Sequence, residues 1–145
     1  MCDADCERRW RVSRGLDNNN PGNIRLSRVK YKGECAVSSD TEFRQFESIE
    51  WGYRAIFMLL YTYHRRHGCR TLRQMIDRYA PPSENPTSNY LRFVSECSGI
   101  DPDYVIDVTN GRVMVEIVCA ISHFENGVPA NRNDVLQGWE LFIKS

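Results

Sequence analysis

The sequence has no apolar stretch near the roughly 20 residues that a membrane span needs. Its longest apolar run, Ala55 to Tyr63, is broken by Thr62. It has no CxxC pair. Its three histidines, His64, His67 and His123, stand at no metal-ligand spacing to its six cysteines, so neither a metal nor another cofactor is expected. It also lacks net charge: 19 Lys and Arg offset 19 Asp and Glu. Nucleic-acid-binding domains of this size are usually basic, and a nucleic-acid partner is therefore not expected. Arg54, Arg65, Arg66, Arg70, Arg73 and Arg78 do crowd the middle of the chain. They read as a solvated helix face, or as an attraction for an acidic polymer such as cell wall or nucleic acid. The first residues, MCDADCERRWRVSRG, include no apolar core of a signal peptide. Action outside the cytoplasm would need delivery by other means. No internal repeat or low-complexity tract is visible.

What is present fits one folded domain. The chain has 145 residues, 41% hydrophobic and 26% charged, enough to bury a core and too few residues for two domains. Residues 1–14 read as a polar N-terminal arm and 15–145 as a single domain. The cysteines are Cys2, Cys6, Cys35, Cys69, Cys97 and Cys119. Cys119 sits in an apolar helical pattern, where a free thiol packs as a small hydrophobe. With no export signal read, all six are expected to be reduced.

Residues 15–25, GLDNNNPGNIR, have loop composition, and Pro21-Gly22 suits a tight turn. Short alternating segments over 25–46 suggest a small hairpin or two irregular strands. From Ile49 to His67 apolar residues recur at helical spacing in a wide stripe, with Ser48 as the cap and Gly68 as the stop. Thr71 to Tyr79 reads as a shorter helix halted by Ala80-Pro81-Pro82. A third begins at Thr87 or Ser88 and closes at Ser98-Gly99. Asn110 caps a long apolar helix, Arg112 to Phe124, predicted to lie at the centre with the 15–25 loop against its C-terminal end. Asn133 is the predicted cap of a last helix, Asp134 to Ile143. The fold class is mainly α, or α+β with a small hairpin: about five helices around a small β-like element.

Two strings carry a resemblance. Arg14 to Arg25, RGLDNNNPGNIR, resembles the RGLxNNNPGNIR opening of phage and prophage proteins of the structural (virion) protein P5-like family. Tyr79 to Tyr90, YAPPSENPTSNY, is similar to the family's WAPPxENxTxxY. Matches at Phe46-Glu47-Ser48, Gly52-Tyr53-Arg54-Ala55 and Phe124-Glu125-Asn126-Gly127 extend the likeness over 14–127. Tyr79 departs from the usual tryptophan, and the cysteine-bearing N-terminal arm is longer. More weakly, Asn19 to Ile24 and Phe43 to Ser48 are similar to the NNxFGI and FRxYxS segments of the lysozyme-like superfamily of glucosaminidases and lytic transglycosylases. The helix ending in Glu-Ser-Gly that precedes those segments in that superfamily is absent here. A helix ending in Glu-Asn-Gly stands at the opposite end of the order, Ala120 to Gly127. A lysozyme-like helical domain in circular permutation would reconcile the two, since permutation is tolerated where termini lie close together.

The resemblance implies a phage-derived peptidoglycan-degrading glycosidase or lytic transglycosylase that cleaves the glycan backbone between N-acetylmuramic acid and N-acetylglucosamine. Glycoside cleavage needs an acid to protonate the leaving oxygen. Glu125 is the expected catalytic acid, delivered from an apolar helix to a cleft. Asn20, Asn23, Tyr79, Glu84 and Tyr90 are the expected substrate-binding residues, with Glu84 in an auxiliary role. Each has a structural alternative. The asparagines cap turns, the Ala-Pro-Pro-Ser-Glu loop joins two helices, Tyr90 packs in the core, and Glu125 is a helix-end carboxylate. Glycan strands are the expected partner, with other virion proteins as further ones. The alternative function is a non-catalytic virion structural or cell-wall-binding protein of the same fold.

Overall fold

The computed structural model describes residues 13–81 and 87–145. Among them are six helices and no strand of more than a single bridge. The N-terminal arm, apart from Ser13 and Arg14, lies outside the described residues, and so do Cys2 and Cys6.

Helix α1, Arg14–Asp17, is one turn that the loop-like composition of 15–25 concealed. Ser13 caps it by accepting from Leu16 N. Helix α2, Ile49–His67, matches the predicted span and ends on left-handed Gly68. Its wide stripe buries Tyr53, Ile56, Phe57 and Leu60 completely or nearly so. Helix α3, Leu72–Tyr79, starts on a reciprocal capping box between Thr71 and Gln74, a device worth about 1 kcal/mol. Helix α4 is Thr87–Ser98. Helix α5, Gly111–Asn126, is capped by Asn110 and stopped by left-handed Gly127. Met114, Ile117, Val118 and Ile121 are buried along it. Each such side chain stabilises the fold by about 1.5–3 kcal/mol relative to exposure. Helix α6, Arg132–Lys144, starts earlier than predicted. The side chain that accepts from Asp134 N belongs to Asn131, so Asn131 is the cap and Asn133 lies inside the helix.

Helix α2 packs along α6, and α4 packs along α5. Phe57 stands edge-on to Trp139 at 5.1 Å and stacks on Phe142 at 6.0 Å, which locks the α2–α6 contact. The chain is thus mainly α-helical. The hairpin predicted over 25–46 is not formed. Only isolated antiparallel bridges, Arg25 with Phe43 and Glu34 with Phe46, occur there. The backbone explains this. Arg44 N donates to Ile24 O, Phe46 N to Asn18 O, and Cys35 N to Gln45 O. Residues 44–46 therefore divide their bonds among three segments, and no ladder can propagate.

The asparagine loop is held from within. Asn18 donates to Asp40 and accepts from Gln45, and Asn19 donates to Phe46 O. Asn20 donates to Ile24 O and Arg44 O and accepts from Ile24 N. Asn19 and Asn23 adopt left-handed backbone, φ 52° and 50°, a region that asparagine tolerates better than most residues. The loop packs on the C-terminal end of α5, as the sequence predicts. Asn126 donates to Pro21 O at 2.8 Å and accepts from Ser13 Oγ at 2.5 Å. Gly15 is required at this seam: a Cβ there would lie 2.7 Å from both Asn126 Oδ1 and Asn23 Oδ1.

Candidate active site

Where the loop meets the end of α5, a cleft of about 390 Å³ opens. Gly22, Asn23, Tyr31, Arg44, Tyr79 and Glu125 are among its lining residues. Glu125 is the carboxylate at this seam. Helix α5 carries it out of the core one residue beyond Phe124, at the negative end of the helix dipole, where an acid gains no stability from the helix.

Each carboxyl oxygen has one donor. Asn23 Nδ2 lies 2.7 Å from Oε1, and the Tyr90 hydroxyl donates to Oε2 at 2.8 Å. Burial disfavours the charged form and raises the Glu125 pKa, while the two hydrogen bonds favour the charged form and oppose the rise. Burial prevails, and the carboxyl titrates above its ordinary value. The Tyr79 and Tyr90 phenols are pushed well above theirs by burial, reinforced by the nearby Glu125 charge. Both stay protonated as donors near neutral pH. Tyr79 donates to Gly22 O at 2.5 Å and so fixes the turn that carries Asn23.

The residues singled out in the sequence divide into three groups. Glu125, Asn23 and Tyr79 meet at the cleft. Asn20 and Tyr90 do not reach it as ligand contacts. Asn20 is fully buried with its amide engaged by the loop backbone. Tyr90 is also fully buried, its ring 4.0 Å from Phe124, and only its hydroxyl reaches the site, from beneath the carboxylate. In the structure both side chains are thus packed behind the cleft wall rather than lining it. Glu84, and the loop around it, lie outside the described residues.

Arg78, one of the arginines that crowd the middle of the sequence, joins Arg25, Tyr31, Arg44 and Tyr63, none of which stands out in the sequence as a site residue, in a cationic and aromatic wall of the cleft. Arg44 is almost completely buried and paired with the equally buried Glu34 at 2.5 Å. Its guanidinium also donates to Val29 O at 2.6 Å and to Ser27 Oγ, and lies 4.6 Å from the Tyr31 ring centre. The available signal was Arg44 itself, placed between Phe43 and Phe46 in the FRxYxS-like segment. Among the described residues no cluster of three or more His, Cys, Asp or Glu could hold a metal ion. No described helix is long and apolar enough to cross a membrane.

The chain is 32% identical over 133 residues to Protein P5 of Pseudoalteromonas phage PM2, an alignment that spans 89% of this chain and 81% of that protein. The chain belongs to the Protein P5 family. No family model matches it. Membership in the P5 family supports a phage-related role. The aligned span is long enough that the shared relationship concerns most of the domain rather than one motif.

Proposed function

We propose that this P5-family protein cleaves the glycan backbone of peptidoglycan, with Glu125 as the catalytic acid, in a circularly permuted lysozyme-like arrangement. One observation carries the reading: a single carboxyl, raised in pKa by burial, sits on two neutral donors and lines a cleft large enough for sugar rings. Such a carboxyl holds its proton closer to neutral pH and can deliver it to a glycosidic oxygen. The permutation is supported by the way an asparagine-rich loop from the beginning of the domain abuts the glutamate-bearing helix end from its later part.

With Glu125 as the one carboxylate among the described lining residues of the cleft, the reading favours lytic transglycosylase over hydrolase. Glu125 gives its proton to the leaving oxygen as the glycosidic bond breaks; the substrate's own hydroxyl then attacks the sugar carbon and returns its proton to the Glu125 carboxylate, closing a ring, so no second protein carboxylate is required. Digestion of purified peptidoglycan followed by mass spectrometry tests this. Anhydro-sugar ends identify transglycosylation, reducing ends identify hydrolysis, and Glu125→Gln should lower either by about 100-fold or more.

The second reading is a non-catalytic virion or cell-wall-binding protein. It is favoured by the engagement of both Glu125 oxygens in internal hydrogen bonds, an arrangement that also suits a purely structural carboxylate. Retained peptidoglycan binding without cleavage would select it.

A further inference from the structure

A second recess of about 420 Å³ adjoins the Glu125 cleft, and the two share Ser27 and Tyr31. Lys30, Lys32, Arg54 and Arg66 line it, and no acidic residue does among the described lining residues. Arg54 is decisive. It is 3% exposed, yet among the described residues its guanidinium donates only to the Ser145 hydroxyl, at 3.1 and 3.3 Å, and stands 5.9 Å from the Trp51 ring centre. Among the described residues no carboxylate pairs with it. Buried guanidinium groups ordinarily have an anionic partner, because an unpaired buried charge is costly. By contrast, buried Arg44 nearby has Glu34. Lys30 is shared with Glu34 at 3.5 Å, whereas Lys32 and Arg66 are exposed and have no ion pair among the described residues.

We propose that this recess is an oxyanion subsite, in which Arg54 at the base and Lys32 and Arg66 at the rim hold a carboxylate or phosphate group of the polymer bound in the adjoining cleft. The identity of that polymer rests on the glycan reading above; the anion site rests on Arg54 and its surroundings. With Nε and one Nη2 hydrogen directed at Ser145, the Nη1/Nη2 end of the planar guanidinium can donate two parallel hydrogen bonds to a carboxylate or phosphate, and two flexible rim cations close over it. The shared wall of Ser27 and Tyr31 would place the charged substituent beside the sugar chain, so that a neutral glycan would be held less firmly than one bearing acidic groups.

Two probes separate the sources of the anion. L-alanyl-D-glutamate carries the carboxylates of a wall peptide, and glycerol phosphate carries the phosphate group of a phosphate polymer. Titration of the full chain with each, followed by calorimetry and by the arginine side-chain NMR signals, should show saturable binding of at least one probe with a shift at Arg54. The double variant Lys32→Gln/Arg66→Gln, at exposed positions, should weaken that binding by about fivefold or more. Arg54→Met should abolish it, and Arg54→Lys should restore it in part. Failure of both probes to bind wild type, or equal binding by wild type and the double variant, overturns the proposal. The double variant keeps the test valid if Arg54→Met does not fold. Glu125→Gln should bind both probes as wild type does. Absence of cleavage by wild type with retained probe binding speaks against the glycan reading and leaves the anion site standing.

Discussion

Asn23 donates its side-chain amide to Glu125 across 102 residues of chain, at 2.7 Å, from a left-handed backbone position with φ 50°. The conformation and the hydrogen bond are separable by mutation. Asn23→Gly keeps the backbone preference and removes the donor; Asn23→Ala removes the donor and adds left-handed strain of about 1–2 kcal/mol. Both variants should raise the Glu125 pKa further, because the lost bond favours the charged form. The alanine variant should also melt earlier than the glycine variant. Carboxyl NMR titration and thermal denaturation read the two effects independently.

Tyr90 supports the same carboxyl from below. Tyr90→Phe preserves the ring that packs at 4.0 Å on Phe124 and removes only the hydroxyl bond to Oε2. It should fold with modest loss of stability and move the Glu125 titration upward. Tyr90→Ala also empties a fully buried site and should cost about 3–5 kcal/mol. Chemical denaturation of both variants checks the contrast. Equal, small losses would contradict the burial of the ring.

Helical periodicity carried most of the fold. The α2 span, the Gly68 and Gly127 stops and the Asn110 cap are local signals, each confined to one turn of chain. The 25–46 segment was not legible, because its alternation predicts strands while its backbone bonds go to three different partners. The same limit applied to Asn20, Asn23 and Tyr90. All carry polar groups that could face a ligand, and only tertiary packing decides that Asn23 faces the cleft while Asn20 is consumed by Ile24 and Arg44. Arg54 was visible as one member of an arginine-rich middle and of the matching Gly52-Tyr53-Arg54-Ala55 string, with no role attached to it. Its burial beside Trp51 separates it from solvated neighbours such as Arg65 and Arg66.

The loop depends on a close approach at Gly52. A Cβ there would fall 2.0 Å from Asn19 O and 2.7 Å from Pro21 Cδ. Helix α2 would have to retreat from the loop, or the loop from it. Gly52→Ala should therefore destabilise by about 1–3 kcal/mol, against the usual gain from alanine in a helix. It should also perturb the Asn23–Glu125 bond, since both contact atoms belong to the loop that leads to Asn23. Denaturation and the NMR signal of the Asn23 amide test it, and a stabilised variant would rule out the contact.

The thiols should react in order of access. Cys35, Cys69, Cys97 and Cys119 are free, and of these Cys97 is exposed. Burial raises the Cys69 and Cys119 pKa values, which further lowers their thiolate fraction. With a mild thiol reagent on the folded protein, Cys97 should modify first and Cys69 and Cys119 last. Denaturation without reductant should expose six titratable thiols, as the sequence reading expects. Peptide mapping after short exposure decides the order, and early labelling of Cys69 would contradict its buried setting.

The pH dependence of stability bears most directly on Glu125. Its pKa in the folded state is raised from the ordinary 4.5, with burial as the principal cause. In the unfolded chain the carboxyl returns to that ordinary value. Between the two pKa values the folded protein binds the proton more tightly than the unfolded chain does. The group's favourable contribution is therefore complete below about 4.5 and is lost as pH rises through the higher folded value. Glu125→Gln carries no ionisable group and escapes this loss. Its stability relative to wild type should rise as pH increases above 4.5 and level off once the folded carboxyl is ionised. The same substitution removes the proton donor, so a variant more stable than wild type at neutral pH should be the one that does not cleave. That opposition is expected of a catalytic acid held under desolvation, because the environment that raises its pKa also penalises its charged form. Paired denaturation curves at acidic and neutral pH, with cleavage assays on the same samples, measure both quantities. A relative stability of Glu125→Gln that falls as pH rises would mean that the two hydrogen bonds outweigh burial and that the carboxyl is held as an anion.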